Sequence, residues 1–503
     1  MHNKRIKTAL ISVYHKQGLN EIIKDLQRLG VEIISTGGTY KYITELGVSA
    51  TKVEDITDYP SIFGGRVKTL HPKIFGGILM RTYADTEEAN KYNIKPIDLV
   101  IVDLYPFEQA VAAGAKHQEI IEKIDIGGIS LIRAAAKNYE DVLVISHKNQ
   151  YTQLLEILKN GGQTTIEQRK DFAAQAFMIS SHYDTKIYQY LNEQPLRSLK
   201  ISEINSYPLR YGENPHQQAA FFGNINDIFT QLHGKQLSYN NLLDADAAVN
   251  IISEFSEPTV AIIKHTNPCG LASDSNLTQA WKKALAGDPE SAFGGIIVTN
   301  CQVDKSTAEE INKLFFEIII APSYEKEALD ILKQKKNRRI LVLNKFPDSP
   351  YQVRSTLNGY LYQEKDLKNE TPEDLQFVTK KQPDKRQIQD LLFANKIVKH
   401  LKSNAIAIVK DKQLIGTGMG QPSRVDALRQ AIAKAHRFGF ELKDAVMASD
   451  AFFPFADSVE IAYKEGITAI IQPGGSIRDK DSIDFCNTHN IAMVFTGIRH
   501  FKH

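Results

Sequence analysis

Cysteine is scarce in this chain: Cys269, Cys301 and Cys486 are the only three in 503 residues, and no CxxC spacing occurs. Thiols so few and so far apart exclude a disulfide framework and the ligand spacing of a structural zinc site, and they suit a reducing compartment. Long apolar runs are also missing. No stretch of about 18 apolar residues is present, so no membrane span is expected. The N-terminal "MHNKRIKTALISVYHKQG" is basic, but its apolar run is too short for a signal peptide. Nor is there an excess of one charge, since 61 Lys and Arg stand against 59 Asp and Glu, a net charge of +2. That balance gives no footing for a nucleic-acid partner, and the run "KQKKNRR" (Lys333–Arg339) reads as solvated surface. A cytoplasmic protein is expected, with neither nucleic acid nor membrane as partner.

What is present is ordinary globular material, 42% hydrophobic and 24% charged, in a chain long enough for two to four domains. Through roughly the first 190 residues, strand-like and helix-like segments alternate. "KTALISV" precedes the helical "LNEIIKDLQRLG", "VEIIST" precedes "GGTYKYITELG", and "DLVIVDLYPF" and "DVLVISH" read as buried parallel strands. The alternation predicts a doubly wound α/β layer with ligands at the carboxyl ends of its strands. The pattern lapses over Leu191–Pro208, the expected linker. Beyond it the order repeats: "DADAAVNIISEF", "TVAIIKH", "LTQAWKKALAG" and "SAFGGIIVTN" are echoed by "IQDLLFANKIVKHLK", "NAIAIVKD", "RVDALRQAIAKAH" and "DAVMASDAFFPF". A duplicated α/β unit is predicted, with polar connecting structure between the copies.

Several motifs carry chemistry. "ISTGGTY" sets Ser35, Thr36 and Thr39 about a glycine pair between strand and helix, a phosphate cradle or, more plainly, a tight turn with Thr39 as helix cap. "FGGRVKTLHPKIFGG" (Phe63–Gly77) reads as a long irregular loop carrying Arg66, Lys68 and His71, with Arg66 able to grip an anion bidentately. Tyr105 ends a buried strand. "IDIGGISLIRAAAKN" puts Asp125 before a helix and Lys137 at its far end, suited to proton transfer or to capping and dipole balance. About ten helical residues span about 15 Å, so a straight helix keeps these two apart. "LRYGENPHQ" groups Arg210, Tyr211, Asn214 and His216 in a loop, and "AFFPFAD" sets aromatic surface beside Asp457.

"AIIKHTNPCG" ends a strand at Lys264 and His265. Its proton–metal alternatives can be separated. A zinc deaminase needs HxE and PCxxC, but Asn267 stands where the glutamate should be and Ala272 where the second cysteine should be. A zinc site therefore fails. An imidazole beside an ammonium remains, at a strand end followed by the turn-forming "TNPCG"; a core-edge histidine with a snorkelling lysine is the plain alternative.

Together these stretches resemble one family over essentially the whole length, the bifunctional purine-biosynthesis enzyme that joins AICAR transformylase to IMP cyclohydrolase. "STGGT", "GGRVKTLHP", "DLYPF", "IDIGG" and "LIRAAAKN" are similar to its cyclohydrolase half. "LRYGENPHQ", "KHTNPCG", "SAFGG", "GMGQPSR", "SDAFFPFAD" and "RHFKH" are similar to its transformylase half. The resemblance implies a methylglyoxal-synthase-like domain over 1–195 and a transformylase region over 196–503. The latter would hold two cytidine-deaminase-like subdomains without zinc, roughly 205–330 and 385–503.

It also implies formyl transfer from the cosubstrate 10-formyltetrahydrofolate to AICAR, giving FAICAR, and cyclodehydration of FAICAR to IMP. In transformylation, Lys264, His265 and Asn404 would be catalytic. Arg210, Tyr211, Phe293, Gly294, Glu317 and Arg499 would bind AICAR, and Arg424, Val425, Pro454, Phe455 and Asp457 would face the folate. In ring closure, Lys68, Tyr105, Asp125 and Lys137 would act, with Ser12, Ser35, Thr36, Gly37, Gly38, Thr39, Arg66 and Thr69 holding the nucleotide. A homodimer with transformylase sites across its interface is implied. So is a structural potassium or other monovalent cation near "KIVKHLKSN" and the C-terminal histidine. Two rivals remain: an active transformylase whose N-terminal domain binds nucleotide without catalysis, and a basic nucleotide- or RNA-binding protein using "STGGT" and the lysine runs, whose affinity would collapse with salt.

Overall fold

The computed structural model describes residues 3–194 and 196–503. They form two compact units, Met1–Ile204 and Asn205–His503. Pro195, where the first domain is expected to end, lies outside the described residues. The segment beyond it stays with the first unit, because Gln189 Nε2 donates to Lys200 O at 2.7 Å and His182 Nδ1 lies 2.9 Å from Ser202 Oγ.

Five parallel strands make the first sheet: β1 (Thr8–Ser12), β2 (Glu32–Ser35), β3 (Thr51–Lys52), β4 (Leu99–Val102) and β5 (Leu143–Ile145), side by side as β3-β2-β1-β4-β5. Their interior residues, Leu10, Ile11, Val100 and Val144 among them, have no exposed surface. Such runs belong to a sheet covered on both faces. The labelled helices of this unit are α1 (Leu19–Arg28), α2 (Gly37–Glu45), α3 (Pro72–Leu79), α4 (Gly127–Lys137), α5 (Tyr151–Lys159) and α6 (Ile166–Leu191). In α1, Leu19, Ile22, Ile23 and Leu26 recur at helical spacing and form the buried face. Strand order doubles back between β1 and β4, which opens a crevice beyond their carboxyl ends.

Two expectations are corrected here. "DLVIVDLYPF" does not run as one strand to Phe107: β4 stops at Val102, and the next carboxylate, Asp103, accepts the Tyr14 and His15 amides instead. "FGGRVKTLHPKIFGG" is irregular only in its first part, for Pro72 opens α3 and Gly76 and Gly77 lie inside that helix. Gly77 is needed because the Lys95 carbonyl leaves no room for a Cβ.

Twelve strands make the large sheet of the second unit: β6 (Phe229–His233), β7 (Thr259–Lys264), β8 (Asn267–Ser273), β9 (Ile296–Thr299), β10 (Ile318–Ala321), β11 (Arg339–Leu343), β12 (Gln376–Phe377), β13 (Ile406–Lys410), β14 (Gln413–Gly418), β15 (Val446–Ser449), β16 (Ala469–Gln472) and β17 (Ala492–Phe495). Their order is β6-β11-β10-β9-β7-β8-β14-β13-β15-β16-β17-β12. The duplicated unit is plain in it. Each half has an edge strand, a helix (α7, Tyr239–Ile252; α9, Lys385–His400), a hairpin (β7–β8; β13–β14) and a second helix (α8, Leu277–Gly287; α10, Arg424–Arg437). Three mutually parallel strands follow in each half. The halves join through β8 and β14, paired at Ala272–Gln413. The duplication reaches single glycines: Gly270 of β8 presses on the Ala284 carbonyl of α8, and Gly416 of β14 on the Ala431 carbonyl of α10, with no room for a Cβ at either.

The run "KQKKNRR" is only partly solvated surface. Arg338 is buried over the Phe316 ring, 4.0 Å from its centroid, and donates to Asn312 Oδ1 at 2.8 Å, while Arg339 opens β11. No helix among the described residues is long and apolar enough to cross a membrane.

Candidate active sites

A cavity of about 650 Å³ fills the crevice between β1 and β4. Ser12, Thr36, Gly38, Thr39, Arg66, Lys68, Thr69, Tyr105 and Asp125 all line it. The cradle is tied together locally. Ser12 Oγ lies 2.8 Å from Thr36 Oγ1, and Thr39 Oγ1 accepts the Val13 amide at 3.1 Å and donates to Val13 O at 3.0 Å. Thr39 is therefore not the cap of α2, which starts at Gly37; it locks the end of β1 to the first turn of α2. Ser35 is buried behind the cavity, donating to Ile11 O at 2.7 Å. Gly37 is exposed and not itself part of the lining; it has φ +38°, and a Cβ there would lie 4.0 Å from Lys68 Nζ. The N-termini of α2 and α4 both border the cavity, and their unpaired amides and dipoles favour an anion there.

Asp125 lines the cavity and accepts the Gly128 amide at 2.6 Å. Burial raises its pKa, opposed by that amide and by Lys68. Burial likewise raises Tyr105, with the Asp125 charge adding to the effect. Lys137 is not brought here. It lines a separate cavity with Phe75, Arg133, Lys170 and Phe177, because the eleven-residue α4 carries it to the far end. The cavity residues missed from sequence include Tyr14, Lys16 and Asp103. Lys16 Nζ donates to Thr39 Oγ1 at 3.1 Å, and burial lowers its pKa, with Asp103 opposing and Lys68 reinforcing. Its position just past the carboxyl end of β1 was the signal that could have found it.

In the second unit, Lys264 and His265 occupy the β7–β8 hairpin. "TNPCG" is not the turn. Asn267 to Gly270 belong to β8, and the two-residue loop is His265–Thr266, closed by the Lys264–Asn267 pair. Both loop residues have positive φ, 50° and 63°. A hairpin of this length wants that geometry, normally from Asn or Gly; for His and β-branched Thr it costs of order 1–3 kcal/mol each. Thr266 N–H donates to Asp244 Oδ1 of α7 at 2.7 Å. Lys264 Nζ donates to Phe293 O at 2.7 Å and lies under Gly294. The His265 ring is exposed and has no hydrogen-bond partner among the described residues. Glu317, just before β10, accepts from Asn241 Nδ2 at 3.0 Å with Arg339 Nη1 3.7 Å away, and its charge acts on Asp244. Burial raises the Asp244 pKa, against the opposing Thr266 amide and His265 charge.

The other half holds a second group. Arg424 is buried, ion-paired to the fully buried Asp450, and donates to Ser449 Oγ at 3.1 Å and Asn404 Oδ1 at 2.9 Å. Its guanidinium thus orients Asn404. Asn404 Nδ2 donates to the carbonyls of Gln421 and Pro422 at 3.0 and 3.1 Å. Val425 follows in the first turn of α10. Pro454 and Phe455 are exposed while Phe453 is core; Arg478 lies over the Phe455 ring at 4.9 Å, and Asp457 opens the next helix. Arg210 stacks on Tyr211 at 5.6 Å in the loop between two short strands, and Arg499 on Phe501 at 4.4 Å. Among the described residues, no hydrogen bond or ring contact joins the Asn404 group to the Lys264–His265 group. No cluster of three or more His, Cys, Asp or Glu among them is placed to hold a metal ion.

Comparison with known proteins decides the family. Residues 135–434 match the model described as AICARFT/IMPCHase bienzyme, and residues 18–130 the model of the MGS-like domain. The chain belongs to the AICARFT/IMPCHase bienzyme family. It is 59% identical to the bifunctional purine biosynthesis protein PurH of Bacteroides thetaiotaomicron, over 100% of this chain and 99% of that one. The PurH proteins of Acetivibrio thermocellus and Aquifex aeolicus are 50% and 49% identical, over 99% and 98% of this chain and 100% of their own. A bienzyme must house two sites, and the switch-point cavity falls chiefly within the MGS-like match. Both Lys264–His265 and Asn404–Arg424 fall within the AICARFT/IMPCHase match.

Proposed function

We propose that the two bienzyme reactions run at these two places: formyl transfer from 10-formyltetrahydrofolate to AICAR in the second unit, and closure of FAICAR to IMP in the first. The observation that carries the reading is the hairpin tip, where an exposed imidazole without a hydrogen-bond partner among the described residues directly follows the anchored Lys264. The AICAR amine is a poor nucleophile, since the ring and carboxamide withdraw its lone pair. As it attacks the formyl carbon, His265 takes its proton, and Lys264 stabilises the charge on the formyl oxygen. The C–N bond to tetrahydrofolate then breaks and its nitrogen is protonated. Asn404 holds the formyl group, Arg210, Tyr211 and Arg499 bind AICAR, and Phe455 and Asp457 face the folate.

In the first unit, Arg66, Thr36, Thr39 and the two helix N-termini hold the phosphate. Asp125 accepts a proton as the carboxamide nitrogen attacks the formyl carbon, and Lys68 and Lys16 protonate the departing oxygen, which leaves as water. Lys137 opens on another cavity and is given no step. A homodimer belongs to this reading, in which a second copy supplies one group to the other, since no hydrogen bond or ring contact among the described residues joins the Asn404 and Lys264–His265 groups. A cytoplasmic location follows from the substrates. A monovalent cation near Lys396–Asn404 would meet Glu254 Oε2, which is buried without a hydrogen-bond partner, but on a carboxylate that Lys399 Nζ and His400 Nε2 already pair at 2.8 and 3.0 Å.

The test follows tetrahydrofolate release and IMP formation separately in wild type, His265→Ala and Lys68→Ala. His265→Ala is expected to lose tetrahydrofolate release at least 100-fold. Lys68→Ala is expected to release it normally while FAICAR accumulates. Wild type that releases tetrahydrofolate without forming IMP above the spontaneous rate would make the first unit a binder.

A further inference from the structure

Asp244 has a structural twin. It is the sixth residue of α7, and Asp390 is the sixth residue of α9, the matching helix of the second half. Each sits beneath the hairpin that follows its helix. Asp244 accepts the Thr266 amide at 2.7 Å. Asp390 accepts the Asp411 and Lys412 amides at 2.9 and 2.8 Å. Both hairpins have two-residue loops with positive φ, 50° and 63° in the first and 51° and 53° in the second. None of His265, Thr266, Asp411 or Lys412 is a glycine that would adopt this conformation freely. An anionic oxygen receiving a loop amide is a strong hydrogen bond, suited to holding such a turn.

The tips differ in what they carry. At the second, Asp411 is paired to Arg386 at 3.2 Å and Lys412 to Glu257 at 2.6 Å, so its charges are spent within the protein. At the first, His265 is exposed and its ring uncommitted among the described residues. One scaffold device thus presents a neutralised tip in one half and a reactive one in the other.

We infer that Asp244 is a positioning residue for formyl transfer: by accepting the Thr266 amide it fixes the turn that sets His265 beside Lys264. This rests on the reading of that pair as the proton-handling groups. Asp244 acts through the backbone of the tip, which it holds in one conformation. Loss of the clamp therefore lowers transition-state stabilisation more than ground-state binding, and shows in kcat rather than KM.

The experiment measures formyl transfer in the full-length chain for Asp244→Ala, Asp244→Asn, Asp390→Ala and His265→Ala. Cyclohydrolase turnover of FAICAR is measured in each sample, and the melting temperature of each variant is recorded. Asp244→Ala is expected to lower kcat at least 30-fold with the KM for AICAR within threefold. Asp244→Asn keeps an acceptor oxygen and is expected to return to within fivefold of wild type. Asp390→Ala removes the same clamp from the other hairpin, and is expected to lower the melting temperature while kcat stays within twofold. The inference falls if Asp244→Ala keeps kcat within twofold, if Asn rescues no better than Ala, or if Asp390→Ala loses as much kcat as Asp244→Ala. Formyl transfer that survives His265→Ala would instead overturn the assignment of the tip itself.

Discussion

At the scale of the residue, single side chains here do two jobs, and substitution can separate them. Asp125 caps α4 through the Gly128 amide and also faces the first cavity. Asp125→Asn keeps an acceptor for that amide, so denaturant midpoints are expected to stay near wild type while cyclohydrolase turnover falls at least 100-fold. Asp125→Ala is expected to lose about 1 kcal/mol of stability as well. An Asn variant with turnover within tenfold of wild type would remove Asp125 from the chemistry. His500 gives a different kind of signal. Burial alone would lower its pKa, but hydrogen bonds to Asp366 and Glu370, at 2.6 and 3.0 Å, raise it to about 9. A folded pKa above the unfolded value of about 6.5 means stability fully present below that value and lost as pH climbs through about 9. Denaturant midpoints are expected to fall over that window, and the fall to be smaller in His500→Gln. Equal slopes in the two proteins would show that His500 is not the titrating group. The hydroxyl and glycine cradle was legible in the sequence because its signals are local to one strand–helix junction. Lys16 and Asp244 were not, because their partners, Thr39 and Thr266, lie 23 and 22 residues along the chain.

At the scale of the element, close backbone approach decides which substitutions are tolerated. Gly270 lets β8 lie against α8 where a Cβ would strike the Ala284 carbonyl. Gly270→Ala is expected to push the helix away and cost about 1–3 kcal/mol, read as a lowered denaturant midpoint. Gly30→Ala is a poor control because Gly30 has φ +69°, whereas Gly38 has open space and no positive φ. An unchanged midpoint in Gly270→Ala would show that the layer yields without cost. Elements with strong periodicity, such as α1 and α10, could be read directly from the chain. The β7–β8 hairpin could not: Asn, Pro and Gly at 267, 268 and 270 carry turn composition but lie in a strand, while His265 and Thr266, weak turn formers, make the bend. Tertiary clamping by Asp244 overrode local preference there.

At the scale of the whole molecule, the repeat of helix and strand order announced the duplication, but the pairing of the strands was hidden. Nothing local says that β7 lies antiparallel to both β8 and β9 while β9, β10 and β11 run parallel, since pairing is a relation between distant segments. Likewise the linker composition over Leu191–Pro208 gave the neighbourhood of the division, while contacts back to α6 carry the first unit on to Ile204.

Two units on one polypeptide also fix a ratio. Catalysts made as separate chains can drift apart in amount, but here every transformylase site is synthesised together with a cyclohydrolase site. With the second reaction unsaturated, FAICAR rises until its removal matches its production, and enzyme concentration cancels from both sides. The standing level of the intermediate is then the transformylase turnover rate divided by the cyclohydrolase kcat/KM. A cell that doubles expression doubles the flux and leaves that level unchanged.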